Sequence, residues 1–377
     1  MNPMGLPTAL LEGWMREYYF ASEMDLGSSG VADYSMAEVR QKTGLTVEEI
    51  DSLVFHDSET QGNPELRQVL ANCFTEDGDP QKVLVTHGST ESNFMLMHAL
   101  LQTGDEVVVL DPCYQQLEGI AQAIGCEIKT WPLRVERGFK PDLEDLKAVL
   151  SDRTRMVVVN FPHNPTGASL THEEQKELIE IVRPTGAYLI WDAAFEAIQY
   201  DEDPLPSPSE VYDRALSMST LSKCYGLPGL RVGWTIGSPE VFERCFHLRD
   251  YTTLHLSPLV ELITRRVMEK RNLFIAPRFE QARKNLALVT EWAKEHEEWI
   301  EWFAPMGGVS CFPRLRHEEN TEEFCHRMGQ EFKVLLVPGT CFGHPQHVRL
   351  GFGGNPDLLE AGLARFSQCL KQTPVLA

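Results

Sequence analysis

Short β-branched runs alternate with amphipathic stretches between about residue 80 and residue 240. The predicted strands are 82–86, 106–110, 127–131, 155–160, 187–191, 215–219 and 231–236, with amphipathic segments such as 91–102 and 173–182 between them. Strands that alternate with helices need crossover connections, so the pattern predicts a mostly parallel seven-stranded sheet covered by helices. Ligands bind such sheets beyond the carboxyl ends of the strands, and the residues that follow each strand are therefore the first candidates for a site.

The pattern changes after a long helical stretch near 239–270. It predicts a helix at 276–297, strands at 299–303 and 309–313, a helix at 321–330, strands at 334–337 and 348–352, and a helix at 356–370. This mixture indicates a smaller α+β domain, against which the N-terminal residues are expected to pack. We predict an α/β protein with a large domain at 51–270 and a discontinuous small domain made of 1–50 and 271–377.

Composition narrows the class of protein. Hydrophobic residues make up 42% of the chain and charged residues 24%, as in ordinary soluble globular proteins. The net charge of −21 argues against nucleic acid or an anionic membrane as a partner, and it mildly favours small cationic substrates.

We expect no signal peptide and no membrane span. The nine cysteines are scattered without a CxxC pair, which favours reduced thiols and a cytoplasmic location. The HPQH segment at 344–347 fits a surface loop better than a metal site, so no metal is predicted.

The segment 219–234, STLSKCYGLPGLRVGW, carries the strongest chemical signal. Lys223 lies between a predicted strand and a Gly/Pro-rich loop, where its amine can form an imine with an aldehyde cofactor and then move protons. Thr220, Ser222 and Arg231 can hold a phosphate, with the arginine giving a two-pronged charged contact. The alternative is an ordinary surface lysine in a polar loop. The whole string favours a Schiff base between Lys223 and pyridoxal 5'-phosphate.

Asp192 ends the apolar strand of the segment AYLIWDAAF at 187–195. A carboxylate there is costly unless it is paired, and a protonated pyridine nitrogen would be a fitting partner. The alternative is a helix N-cap after a buried strand. Taken together with Lys223, the cofactor interpretation is favoured.

Two turns after predicted strands carry further candidates. Asn164 lies in NFPHNPTG at 160–167 and is placed to hydrogen-bond a ring oxygen. The alternative is a turn, since the same residue types are typical of turns. Ser89 and Thr90 lie in THGSTESN at 86–93, where a strand, a glycine turn and a helix form a phosphate cradle, unless they are only helix caps.

Two more candidate site residues are Tyr114, which follows the predicted strand at 106–110, and Arg349, which lies on the predicted strand at 348–352. Tyr114 can stack on the cofactor ring or serve as a core aromatic residue, and stacking is favoured. Arg349, in VRLGF at 348–352, can clamp a substrate α-carboxylate, or it can be a surface arginine on an edge strand.

These segments, with GNPELR at 62–67, resemble the fold-type I pyridoxal-phosphate enzymes of the aspartate aminotransferase superfamily. The resemblance implies that Lys223 carries the cofactor, Asp192 pairs with the pyridinium and Asn164 bonds the 3'-oxygen. It implies that Tyr114 stacks on the ring and Arg349 binds the substrate carboxylate. The phosphate would be held by Ser89, Thr90, Thr220, Ser222 and Arg231. It also implies a homodimer with active sites at the subunit interface.

Two positions depart from the family pattern. Phe195 stands where aminotransferases carry a tyrosine that also bonds the 3'-oxygen. Asp57 stands where they often carry a tyrosine that reaches the partner subunit's phosphate. Both changes weaken a plain transaminase interpretation, and an inward-facing aspartate would suit a cationic substrate.

The N-terminal strings LEGWMREYYF at 11–20 and DLGSSGV at 25–31 resemble capreomycidine synthase and its relatives. That group cyclises a hydroxylated arginine by closing the guanidine onto the carbon that loses hydroxide. It includes a six-membered-ring former acting on 3-hydroxyarginine and a five-membered-ring former that makes L-enduracididine from 4-hydroxyarginine in guanitoxin biosynthesis. We expect the 4-hydroxy-L-arginine reaction. The alternatives are the 3-hydroxy reaction, an aminotransferase, a β-eliminating lyase and a binding protein without turnover.

Cyclisation needs an acid for the departing hydroxide and acceptors for the guanidinium. His163, beside Asn164, is the predicted acid, with a satisfied loop histidine as the alternative. Guanidinium contacts are expected from Glu12, Asp57 and Ser28 or Ser29. For Glu12 the alternative is a plain charge on a helix surface.

Overall fold

The computed structural model describes residues 4–372, so the ends of the predicted small domain at 1–3 and 373–377 lie outside the described residues. The strands are β1 (Met24–Asp25), β2 (Val83–Thr86), β3 (Glu106–Asp111), β4 (Glu127–Pro132), β5 (Thr154–Asn160), β6 (Tyr188–Asp192), β7 (Ala215–Thr220), β8 (Gly233–Ile236), β9 (Ile300–Glu301), β10 (Ser310–Cys311), β11 (Arg314–Leu315), β12 (Val334–Leu335), β13 (Val337–Pro338) and β14 (Val348–Gly351). The helices are α1 (Leu10–Tyr18), α2 (Met36–Thr43), α3 (Val47–Asp51), α4 (Pro64–Phe74), α5 (Gly88–Leu100), α6 (Gln116–Ile124), α7 (Leu143–Val149), α8 (His172–Val182), α9 (Pro239–Arg249), α10 (Pro258–Glu269), α11 (Asn272–Glu295), α12 (Thr321–Gln330) and α13 (Pro356–Lys371).

A seven-stranded sheet forms the centre of the molecule, in the order β2-β8-β7-β6-β5-β3-β4. Strands β7, β6, β5, β3 and β4 pair in parallel, and β8 runs antiparallel to both of its neighbours. The predicted mostly parallel seven-stranded sheet is therefore confirmed. Because β5, β6 and β7 run in the same direction, their carboxyl ends meet at one edge, where Asn160, Asp192 and Thr220 end the three strands.

Alternate residues of the strands enter two different apolar cores. On β5, Val157 and Val159 pack in one core, whereas Met156 and Val158 pack in the other. Side chains of successive strand residues point to opposite faces, so a strand that is apolar throughout must be covered on both sides. Helices α5, α6 and α9 contribute to one core and α4 and α8 to the other, which gives a helix–sheet–helix arrangement.

The later elements are shorter than the pattern predicted. The predicted helical stretch at 239–270 is two helices, α9 and α10, and α10 begins at Pro258, whose ring disfavours a helical residue before it. The predicted strand at 334–337 is two two-residue strands, and those at 299–303 and 309–313 shrink to β9 and β10. Small sheets pair β10-β14-β13, β11-β9 and β1-β12.

The N-terminal segment contacts both parts of the molecule. Strand β1 pairs in parallel with β12, and the indole of Trp14 donates a hydrogen bond of 2.7 Å to the Leu336 carbonyl, so this part packs on the later elements. Further along, Glu49 of α3 forms an ion pair with Arg266 of α10. The division at residues 50/51 and 270/271 stays a prediction, and the N-terminal segment bridges it. Among residues 4–372, no helix is long and apolar enough to cross a membrane.

Candidate active site

A cavity of about 440 Å³ opens at the carboxyl ends of β5, β6 and β7. Helix α1, the first turn of α5, the loop after β7 and strand β14 complete its wall. It brings together most of the residues that the sequence singled out: Glu12, Ser28, Ser29, Ser89, Thr90, Tyr114, Asn164, Asp192, Thr220, Ser222, Lys223, Arg231 and Arg349. Within the part of the chain that the structure describes, no cluster of side chains is suited to a metal ion.

Lys223 lies at the centre of this cavity. Its Nζ atom donates a hydrogen bond of 3.0 Å to Ser29 Oγ and lies 5.8 Å from the centre of the Phe195 ring. Burial, helped by the positive charge of Arg349, lowers the pKa of Lys223 from 10.5 to about 8. A lysine with a lowered pKa has a larger neutral fraction at neutral pH, and only the neutral amine attacks an aldehyde or accepts a proton.

Asp192 occupies the buried carboxyl end of β6 and is 7% exposed. Its Oδ1 atom accepts a 3.0 Å hydrogen bond from the Ala194 N–H, and no ion pair to it occurs among residues 4–372. Burial raises its pKa from 3.8 to about 6, because the ionised carboxylate loses its hydration. A cation in contact with the carboxylate would offset this cost. A protonated pyridine nitrogen is such a cation, so this carboxylate fits the aldehyde cofactor.

The first turn of α5 and the loop after β7 form an anion cradle. The N–H groups of Ser89 and Thr90 lie in a first helical turn, where they have no acceptor within the helix. Ser222 Oγ accepts from the hydroxyl of Thr220 at 3.0 Å and from Nη1 of Arg231 at 3.0 Å, which fixes both hydroxyls beside a permanent cation. These donors suit a phosphate.

The backbone of β8 must pass very close to this cradle. A Cβ atom on Gly233 would lie 2.5 Å from the Ser89 nitrogen and 2.6 Å from the Gly88 carbonyl carbon, so only glycine fits there. The glycine therefore sets the separation between β8 and the first turn of α5.

Arg349 is buried at 2% exposure on the middle strand of a three-stranded sheet, so the alternative of a surface arginine on an edge strand is wrong. Its Nε and Nη2 atoms donate to the Gly27 carbonyl at 3.0 and 2.8 Å, and its Nη1 donates to Asn164 Oδ1 at 3.1 Å. Burial lowers its pKa to about 10. The amide oxygen of Asn164 accepts this bond from Arg349, so the N–H₂ group of the same amide is left as the donor that a ring oxygen would require.

Helix α1 contributes a carboxylate to the wall of the cavity. The phenol of Tyr114 donates a 2.9 Å hydrogen bond to Glu12 Oε1, and both residues line the cavity. Glu12 is therefore more than a helix-surface charge, because it is coupled to the residue predicted to stack on the cofactor. Ser28 also lines the cavity, with its backbone held by Asp25 Oδ1.

Two predicted contacts need correction. His163 does not line the cavity: it is 2% exposed, its ring bonds Thr166 Oγ1 at 2.8 Å, and burial lowers its pKa to about 3, so it carries no ionisable proton at neutral pH. The side chain of Asp57 is fully exposed and lies 3.1 Å from His255 Nε2, outside this chain's cavity. Ser29 lines the cavity and its Oγ accepts a hydrogen bond from the amine of Lys223, and its contact with a guanidinium stays a prediction.

The cavity also contains two carboxylates that the sequence pattern did not single out, Asp25 and Asp33. Asp25 begins the string DLGSSGV, in which only the serines were predicted to bind substrate. Asp33 follows that string by two residues, and burial raises its pKa. A signal was present in the sequence, since two acidic residues flank a glycine–serine turn beside the predicted site.

Comparisons with known proteins agree with this geometry. The profile of the family Aminotransferase class I and II matches residues 24–366. Capreomycidine synthase of Streptomyces vinaceus is 44% identical over 369 residues, covering 97% of this chain and 95% of that protein. The crystal structure of the PLP-dependent cyclase OrfR superposes with a TM-score of 0.93 at 39% identity, covering 98% of both chains. A PLP-dependent aminotransferase from Streptococcus suis 89-1591 gives a TM-score of 0.92 at 29% identity, covering 99% of this chain and 100% of that one.

These matches extend over nearly the whole chain and confirm the predicted fold class and cofactor. The buried carboxylate, the anion cradle and the lysine of lowered pKa together fit pyridoxal 5'-phosphate. The chain therefore belongs to the aminotransferase class I and II family and is a pyridoxal-phosphate enzyme.

Proposed function

We propose that the enzyme is a cyclase that converts 4-hydroxy-L-arginine into L-enduracididine. The observation that carries the proposal is the distribution of charge in the cavity. Arg349 provides a cation for an α-carboxylate, and Glu12, Asp25 and Asp33 provide carboxylates for a cationic side chain in the same cavity. An amino acid with a cationic side chain matches this arrangement, because its two ends carry opposite charges.

The chain's own residues have defined tasks in this reaction. Bound pyridoxal phosphate supplies an electron sink that makes the Cα proton of an amino acid removable. Lys223, whose pKa burial lowers to about 8, takes that proton and later returns one to Cα. A second proton leaves Cβ and hydroxide leaves Cγ. The guanidine then closes a five-membered ring on Cγ with loss of an N–H proton, and Cβ takes a proton back, so that the overall change is the loss of one water. Arg349 holds the carboxylate through these steps.

Phe195 supports a lyase-type reaction over transamination. Its ring is 3% exposed, lines the cavity and lies beside Lys223, and it offers no hydroxyl to the cofactor's 3'-oxygen. The position where the superfamily pattern has a donor is therefore apolar here. This changes the electron distribution of the imine, and a PLP-dependent cyclase is among the structures that are similar to this chain.

The second candidate is the closure of a six-membered ring from 3-hydroxy-L-arginine. The 44% identity to capreomycidine synthase supports it. In that reaction hydroxide leaves Cβ and the guanidine adds there, with the same roles for Lys223 and Arg349. The two candidates differ in the position of the hydroxyl group and in the size of the ring.

Incubation of the holoenzyme with 3- and 4-hydroxy-L-arginine in separate reactions tests the proposal. We expect mass spectrometry to show a net loss of one water from the 4-hydroxy compound, and proton NMR to show a five-membered ring. Lys223→Ala should abolish the reaction and the absorbance band of the imine. Sustained formation of glutamate from L-arginine and 2-oxoglutarate, without dehydration of either hydroxyarginine, would instead identify an aminotransferase.

We also propose that the enzyme acts as a homodimer. Asp57 is hydrogen-bonded to His255. This bond brings the segment 54–57 next to the segment 251–255, and both segments carry exposed apolar side chains. Val54 is 65% exposed, Phe55 71% and Tyr251 93%, and exposed apolar groups of this size favour a partner surface. Sedimentation of the wild-type protein should give twice the mass of the chain, and a monomeric mass would contradict the proposal.

A further inference from the structure

Ring closure needs one proton and releases one. When the C–O bond breaks, its electron pair leaves with oxygen, and hydroxide is a poor leaving group unless it is protonated to water. When a guanidinium nitrogen then forms the new C–N bond, it must lose an N–H proton. The two demands balance, so a single residue that gives a proton and takes one back can serve both steps. This reasoning rests on the proposed cyclase function.

Most ionisable groups of the cavity already have another role or a fixed hydrogen-bond partner. Lys223 handles the Cα proton, and Asp192 faces the position of the pyridine nitrogen. The Oδ1 atom of Asp25 accepts the backbone N–H groups of Gly27 and Ser28, at 2.9 and 2.8 Å. Arg231 and Arg349 are cations with no proton to give at neutral pH. His163 lies outside the cavity. Asp33, Tyr19 and Tyr114 remain as groups of the cavity that can carry a transferable proton. Tyr19 is 41% exposed, and of the three it is Tyr114 that is hydrogen-bonded to Glu12.

The phenol of Tyr114 is held in a defined position. It donates its hydrogen bond to Glu12 Oε1 at 2.9 Å, which joins the loop after β3 to helix α1. Its ring lines the same cavity as Lys223 and Arg349. A substrate anchored by its carboxylate at Arg349 and by its guanidinium at Glu12 would extend past this phenol, so the hydroxylated carbons lie between the two anchors.

The chemistry of this phenol matches both steps. Burial and the neighbouring Glu12 carboxylate raise the pKa of Tyr114 well above 10, so it keeps its proton at neutral pH. Hydroxide is a stronger base than a phenolate, and protonating it is downhill. A phenolate whose conjugate acid has a raised pKa is in turn basic enough to take a proton from a guanidinium, whose own pKa exceeds about 12.

We propose that Tyr114 is the acid–base residue of the elimination and ring closure, and that Glu12 positions it and the guanidinium. Tyr114 gives its proton to the departing oxygen, which leaves as water. The guanidine nitrogen then bonds to the carbon, and its N–H proton passes to the phenolate, which restores Tyr114. The guanidinium held at Glu12 offsets the transient negative charge on the phenolate.

The test compares Tyr114→Phe with the wild-type holoenzyme on whichever hydroxyarginine the wild-type enzyme dehydrates. We expect Tyr114→Phe to lose water at least about 100-fold more slowly, the usual contribution of a positioned acid. Its Cα–H exchange in D₂O, followed by NMR, and its substrate dissociation constant should stay within about threefold of wild type, because Lys223 and Arg349 are intact. Tyr188→Phe, at the opposite end of β6, is the control and should dehydrate at the wild-type rate.

A second readout does not depend on turnover. With 3-fluorotyrosine at position 114, the ¹⁹F shift of the cofactor-free protein reports titration of the phenol. Glu12→Gln should lower the titration midpoint, because it removes the negative charge beside the phenol. A midpoint unmoved by Glu12→Gln, or a Tyr114→Phe enzyme that dehydrates within about threefold of wild type, would overturn the role of Tyr114 alone. A wild-type enzyme that dehydrates neither hydroxyarginine would overturn the proposed function itself, and this role with it.

Discussion

Replacing Asp192 by asparagine should stabilise the cofactor-free protein and weaken cofactor binding. The carboxylate is 7% exposed at the end of β6, and its one hydrogen bond, from the Ala194 N–H, can be kept by the asparagine oxygen. The substitution therefore removes a buried charge and leaves the side-chain volume nearly unchanged. The substitution should raise the stability of the cofactor-free protein and lower its affinity for the cofactor. A substitution that damaged the fold would lower both.

The size of the stabilisation follows from the pKa. Burial raises the Asp192 pKa from 3.8 to about 6, and each pKa unit corresponds to about 1.4 kcal/mol. Because the folded protein holds the proton more tightly than the unfolded chain, the cost is absent below the unfolded value and complete above the folded one. Asp192→Asn should therefore raise the free energy of unfolding by about 3 kcal/mol at pH 7.5 and by only about 1 kcal/mol at pH 4.5.

Urea unfolding of the cofactor-free protein, at a fixed protein concentration and at both pH values, measures this difference. Fluorescence titration with pyridoxal phosphate should show a dissociation constant raised by about 10- to 100-fold, since a charge-assisted bond to the pyridinium is worth about 1.5–3 kcal/mol. Asp152→Asn, an exposed aspartate, is the control and should change neither quantity. A destabilised Asp192→Asn protein, or a gain that does not shrink on acidification, would refute the reasoning.

Three further outcomes follow from the site. Arg349→Lys should lower kcat/KM by about 100-fold in steady-state assays while leaving the imine absorbance intact, because an ammonium cannot form the two-pronged carboxylate contact; a change within about threefold would contradict that role. Phe195→Tyr should lower the pH at which the imine absorbance band titrates, since a phenol beside the 3'-oxygen stabilises its anion; an unmoved midpoint would mean that the residue does not face the cofactor. Gly233→Ala should lower stability by about 1–3 kcal/mol and weaken cofactor binding, because its Cβ would meet the Ser89 nitrogen at 2.5 Å, and thermal unfolding with and without cofactor checks this.

Local sequence determined the central sheet and the cofactor. The runs at 107–110, 156–159 and 187–191 within the predicted strands are apolar throughout, which a doubly covered parallel sheet accommodates, and the sheet is found as predicted. The polar residues that end these strands meet at one edge because parallel strands share a direction. The amino-acid pattern is therefore sufficient to group Asn160, Asp192 and Thr220 at that edge.

Tertiary structure decided which charged side chains line the cavity. Glu12, Asp25 and Arg349 are distant in sequence and meet only because β1 pairs with β12 and α1 closes over the loop after β3. His163, one residue from Asn164, is turned into the protein and bonded to Thr166, which no local pattern indicated. A motif specifies the backbone path after a strand, but the direction and protonation of each side chain depend on what packs against it from elsewhere in the chain.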